Sequence, residues 1–137
     1  MALWLFKEEP GEYSFADLRR DRKTLWTGVS NALARKHLGQ VRRGDRVFFY
    51  HTGKEKAVVG EMRAAADAKP APTEDDPKAV AVEVEAVRPL PRPVPLAKIK
   101  ADRLLRDWEL ARLPRLSVLP VTEEQWQRVE ELSRLPA

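Results

Sequence analysis

The residues best equipped to do chemistry sit together in Trp26-Thr27-Gly28-Val29-Ser30-Asn31. Tryptophan offers a broad π face, glycine lets a backbone come close, and Ser and Asn side chains each carry a donor and an acceptor. That set suits a planar ligand read along its hydrogen-bonding edge, and a nucleobase drawn out of its stack is such a ligand. Stacking one base on an aromatic ring contributes about 1–3 kcal/mol, which offsets much of the cost of extruding it. Arg35 and Lys36, one helical turn further on, would then meet flanking phosphates. The same spacing also fits a core tryptophan followed by a helix cap at Ser30 or Asn31, and residue types alone do not separate the two readings.

Catalytic arrangements are thinner. His37 and His51 are the only histidines and there is no cysteine, so zinc thiolate sites, thiol catalysis and disulfides are excluded and no metal or cofactor is expected. Ser117, His51 and an aspartate lack a nucleophile elbow, and no glycine-rich phosphate cradle is present. Lys7 with Glu8 and Glu9 at a strand end could supply a base and an acid, although a surface ion pair explains them more simply.

Charge distribution says more than the net value of +4. Nine Lys or Arg lie between Arg19 and Arg46 against Asp21 and Asp45, and eight lie between Arg88 and Arg115 against three acids. From Glu61 to Glu85 the balance reverses, with seven acids against three bases. Two basic segments around an acidic one fit a face turned to phosphates, with Arg35, Lys36, Arg42 and Arg43 as candidate contacts, and such a face predicts steep salt dependence. A solvated surface carries charge runs too. No apolar run approaches the roughly 18 residues of a membrane span, and the opening segment is cut short by Lys7-Glu8-Glu9. A cytoplasmic monomer is expected, and 16 Arg against nine Lys hint at a heat-adapted source.

The elements that must position these residues follow from periodicity and punctuation. Leu3 to Phe6 reads as a buried strand and Arg46 to His51 as a strand covered on both faces. A hairpin through Thr52-Gly53-Lys54-Glu55-Lys56 leads to a strand from Ala57 to Ala65, where Gly60 marks a bulge or a close backbone approach. Val80 to Glu85 alternates as a half-exposed strand, and Arg115 to Leu119 is strand-like. Ser14 with Asp17 caps a short helix from Phe15 to Arg20, Ala32 to Leu38 forms a second stopped by Gly39, and Thr122 with Gln125 caps a closing helix. One or two short helices are expected between Leu96 and Trp108. Residues 69–77 read as a surface loop, and Pro89 to Pro95 as an extended connector without ladder hydrogen bonds. About five short strands with short helices favour a small, partly open barrel.

Trp4 through Pro10, Tyr13-Ser14, Trp26 through Asn31 with Ala34-Arg35, Gly44-Asp45, Phe49-Tyr50-His51, Val59-Gly60, Pro93 through Leu96 and Arg115 through Val118 occur in the order seen in the EVE domain family. The chain resembles that family over nearly its whole length. The resemblance implies an α+β fold: one PUA-like domain over residues 1–137, a small mixed β-barrel of about five to six strands with short helices over its ends, related to YTH domains. It further implies a non-enzymatic reader of DNA or RNA whose pocket takes a modified base, such as methylated or hydroxymethylated cytosine or methylated adenine. Matched residue by residue, Lys7, Trp26, Val29, Ser30, Asn31, Tyr50, His51, Arg115 and Ser117 would lie in or beside that pocket. Ser30 stands where the family usually has arginine, and Ala79 where many members have tryptophan, so ligand preference could differ. Two alternatives stand beside this reading: an amidohydrolase-like enzyme acting on a modified nucleobase through Lys7 and Glu9, and an RNA-binding module indifferent to modification.

Overall fold

A computed structural model describes residues 1–136. Its centre is the parallel pair β1 (Leu3–Glu8) and β3 (Arg46–His51), in register from Leu3 opposite Arg46 to Glu8 opposite His51. β4 (Ala57–Ala64) pairs antiparallel with β3, and β6 (Val80–Pro95) with β4. β2 (Lys23–Trp26) closes one edge against β6 and β7 (Val118–Pro120) the other against β1. The two-residue β5 (Lys69–Pro70) adds to β6, giving seven strands in a mixed sheet curled into a half-barrel.

Side chains alternate across a strand, so each face of this sheet has its own residues. Trp4, Phe6 and Glu8 of β1 share one face with Val47, Phe49 and His51 of β3, while Lys7 shares the other with Phe48 and Tyr50. The first face is covered by α1 (Phe15–Asp21), whose Phe15 meets Phe49 edge-on at 5.5 Å, and by α2 (Ala32–Leu38), whose His37 ring lies 6.0 Å from Trp4. The second is covered by α3 (Leu96–Ala101), α4 (Glu109–Arg112) and α5 (Glu123–Arg134), where Trp126 stacks on Phe48 at 3.6 Å. Two capping boxes, Ser14 with Asp17 and Thr122 with Gln125, start α1 and α5 as the sequence predicts.

Three local expectations are corrected and one element is added. The added element is the edge strand from Lys23 to Trp26, which completes the six-strand path of the sheet, as the expected five to six strands require, with the two-residue β5 beside it; its inward Thr24 and Trp26 and outward Lys23 and Leu25 disguised the alternation. The Pro89–Pro95 run is not an unpaired connector but the second half of β6, with Val94 opposite Val58 and Pro95 opposite Ala57. Prolines at alternate positions strip donors from one edge only, and the other edge still pairs: Leu96 N–H donates to Lys56 O at 2.8 Å. Gly39 ends α2 in right-handed geometry, φ −65°, so the stop comes from the turn that follows and not from a left-handed glycine. Finally, β7 begins at Val118, three residues later than expected.

Gly60 combines both expectations for it. The β3–β4 register shifts beside it, and a Cβ built there would lie 2.5 Å from the Phe15 ring. A bare backbone at this point lets α1 settle onto the sheet, and that fixes the segment leading from α1 into β2.

Candidate functional site

Trp26 is the last residue of β2 and is 5% exposed. Its ring centroid lies 5.3 Å from Phe6 and 5.4 Å from Phe49, the latter edge-on at 86°. Among the described residues neither its indole N–H nor that of Trp126 finds a protein acceptor, whereas Trp4 donates to Asp45 Oδ2 at 3.0 Å and Trp108 to Pro120 O at 3.1 Å. Beside it opens a cavity of about 180 Å³ lined by Glu8, Tyr13, Thr24, Leu25, Trp26 and Thr27. Strand alternation explains the composition: Glu8 follows Phe6 on the same face of β1, and Thr24 precedes Trp26 on the same face of β2.

The electrostatics of this cavity are set by acids. Burial raises the Glu8 carboxyl above the usual carboxylate range, the nearby charges of Glu12 and Glu9 add to the effect, and the Glu9 N–H donating to Oε1 at 2.9 Å partly opposes it. Burial likewise raises the Tyr13 phenol, whose hydroxyl donates to Asp21 Oδ2 at 2.9 Å. An aromatic wall, two threonine hydroxyls and a carboxylate acceptor together suit a flat group bearing an exocyclic amine, such as the N4 amine of cytosine.

The structure distributes the remaining sequence-derived residues more widely. Lys7 and Tyr50 lie on the opposite face, the Lys7 ammonium 5.6 Å from the Tyr50 ring centre and donating to Pro114 O at 3.2 Å. His51 shares the Trp26 face, but both its ring nitrogens are engaged, Nε2 accepting from Phe15 N–H at 3.0 Å and Nδ1 lying 2.8 Å from Glu55 Oε1. Asn31 caps α2, its Oδ1 accepting from Ala34 N–H at 3.0 Å; Ser30 beside it is exposed. Val29 is half-buried, and its carbonyl accepts from Arg35 Nε at 3.2 Å. Ser117 is half-buried, its carbonyl accepting from Lys7 N–H at 2.9 Å, and Arg115 is exposed.

Among the cations, Arg35 is committed to structure. Its guanidinium pairs with Asp76 at 2.6 Å, tying the loop after Trp26 to the loop before β6. Lys36 is exposed, and Arg42 lies 3.8 Å from Asp67. Arg43 lines a recess with Lys23, Arg63 and Glu85, the last two paired at 2.7 Å; the recess continues through Lys23 and Glu85 into a second one carrying Arg19, Arg22 and Arg88, of which Arg88 pairs with Glu130 at 2.6 Å. This basic surface begins at Lys23, three residues from Trp26.

Glu8, Tyr13, Thr24 and Thr27 were not singled out by sequence as walls of one cavity. The signal was present in the period of two along β1, which keeps Lys7 and Glu8 on opposite sides of the sheet. Among the described residues no cluster of three or more His, Asp or Glu side chains could hold a metal ion, and no helix is long and apolar enough to cross a membrane.

The EVE domain model matches residues 2–132. Human thymocyte nuclear protein 1 is 32% identical, the alignment covering 94% of this chain and 72% of the human protein. Among solved structures, Rpa0253 from Rhodopseudomonas palustris superposes with a TM-score of 0.91 at 40% identity, covering 97% of this chain and 93% of its own. The human THYN1 protein in complex with DNA containing 5-methylcytosine superposes with a TM-score of 0.91 at 29% identity over the full length of both chains. The chain belongs to the EVE domain family, and its half-barrel is the PUA-like fold of that family.

Proposed function

We propose that this member of the EVE domain family is a non-enzymatic nucleic-acid reader that receives one extruded, modified base in the cavity beside Trp26. The observation that carries the reading is the Trp26 indole, held by Phe6 and Phe49 at the edge of a cavity with its N–H unclaimed, facing a carboxylate and threonine hydroxyls. A region built only for packing, as around Trp126, would leave no vacancy beside the ring. The human relative bound to DNA containing 5-methylcytosine supports this reading and makes that base the first probe.

In this reading Trp26 supplies the aromatic wall, and Glu8 accepts from the exocyclic amine. The exposed loop from Thr27 to Asn31 covers the base, with Gly28 at φ +77° supplying the turn that an L side chain resists. Arg19, Arg22, Lys23 and Arg43 follow the phosphates, joined by Lys36 and Arg42 beyond the covering loop. Counterion release then gives affinity a steep salt dependence.

Equilibrium titration of oligonucleotides with and without 5-methylcytosine tests the reading. The modified strand is expected to bind more tightly. Trp26→Leu, which keeps apolar bulk without a π face, is expected to lose about 1–3 kcal/mol, or roughly 5- to 150-fold in affinity. Unchanged affinity in a folded Trp26→Leu protein overturns the stacking role, and equal affinity for both strands overturns the preference for modification.

A further inference from the structure

The second face of the sheet holds a half-open recess of about 190 Å³ that the base-reading role does not use. We propose that this recess, bounded by Lys7, Tyr50, Lys56 and Lys100, is a second binding site for a phosphate monoester whose apolar or aromatic body rests on Leu96 and Leu110. It lies across β1 from Trp26, since Lys7 and Glu8 turn to opposite faces.

Four observations converge. First, Lys7, Lys56 and Lys100 line one recess, and among the described residues none forms an ion pair. Glu55, next to Lys56 in the chain, lies 2.8 Å from His51 Nδ1, and Glu9 accepts from the Thr52 hydroxyl at 3.4 Å. A dianion suits a recess lined by three lysines better than a monoanion does. Second, Lys7 has three donors and spends one on Pro114 O, while burial pushes its pKa down to about 8. An anion beside it would offset that desolvation. Third, burial pushes the Tyr50 phenol up to about 12, so it keeps its proton and remains a hydrogen-bond donor.

The fourth observation is backbone strain. Lys56 has φ +45°, a left-handed conformation that glycine or asparagine adopts more readily. The strained residue lines both this recess and an adjoining groove of about 350 Å³, which also includes Lys54. Leu96, Leu110 and Pro114 give the wall an apolar surface that inorganic phosphate alone would not use.

Calorimetric titration of the full chain with adenosine 5′-monophosphate, adenosine and inorganic phosphate separates the components. The nucleotide is expected to bind roughly tenfold or more tightly than either alternative, and Lys56→Ala with Lys100→Ala to remove that advantage. Trp26→Leu should leave nucleotide binding unchanged, so failure of the base-reading role and failure of this site are distinguishable. Lys56→Gly relieves the backbone, so it should raise the melting temperature while weakening the nucleotide, a pairing that misfolding cannot mimic. A 5′-phosphorylated oligonucleotide that outcompetes the mononucleotide identifies a strand end as the source, and the reverse identifies a free nucleotide. Nucleotide affinity equal to that of adenosine or of inorganic phosphate overturns the site, as does wild-type affinity in Lys56→Gly.

Discussion

Phe48 and Phe49 are neighbours on β3, and each meets a tryptophan on its own side of the sheet. Phe48 stacks flat on Trp126, with centroids 3.6 Å apart and planes 9° from parallel. Arg46 closes that side, 4.6 Å from the Trp126 ring and paired with Glu61 at 2.8 Å. Phe49 instead meets Trp26 edge-on, next to a cavity with a carboxylate in its wall. The Trp126 side is filled on every face, even at the cost of an indole N–H buried without a partner. The Trp26 side keeps space and an available donor. Both tryptophans are buried, so burial alone does not set them apart; what borders each ring does.

This contrast is open to direct attack. The largest effect belongs to Trp126→Ala, which should cost about 3–5 kcal/mol of stability in urea denaturation. Oligonucleotide affinity per folded molecule should stay unchanged. Gly60→Ala comes next, because the added methyl meets the Phe15 ring and displaces α1. Overpacking of this kind costs about 1–3 kcal/mol, and here it should also weaken oligonucleotide binding, since Phe15 backs the Phe49 ring that supports Trp26. Stability loss with wild-type affinity would show that the Phe15–Phe49 contact does not hold Trp26 in its binding position.

Glu8→Gln should have the smallest effect. The raised Glu8 pKa means its protonated form is the one the fold favours. That stabilisation is fully present below the unfolded value and lost as pH rises through the folded one. Glu8→Gln should therefore raise the melting temperature at neutral pH and leave it little changed at about pH 4. Binding should run the other way, because the carboxylate is the acceptor for an amine. Wild-type affinity for the modified strand should fall as the solution is acidified, and the Gln variant should show a flatter profile.

Much of the fold was legible because local signals agreed with one another. Ser14 with Asp17 and Thr122 with Gln125 mark helix starts chemically, and the run from Arg46 to His51 is apolar on both faces because both faces are covered. The proline-rich half of β6 was not legible as a strand, since a rule about missing donors says nothing about which edge needs them. The candidate site was legible at Trp26 and obscure around it. The family resemblance drew Lys7, Trp26, Tyr50 and Asn31 toward one pocket, while the pleat places Lys7 and Tyr50 behind the sheet and the cap geometry occupies Asn31. Glu8 and Thr24 reach the cavity only through pairings that bring β1 and β2 to the same face, which are long-range and leave little local trace.

Fluorine NMR of protein labelled with 5-fluorotryptophan tests the central claim most directly, since the chain has four tryptophans and each gives one signal. Signals are assigned by single Trp→Phe variants, and the protein is titrated with an oligonucleotide containing 5-methylcytosine. The account predicts that the Trp26 signal moves with saturation that follows binding while the Trp126 signal stays in place. Binding that leaves Trp26 unmoved, or that shifts Trp126 as much as Trp26, would contradict it.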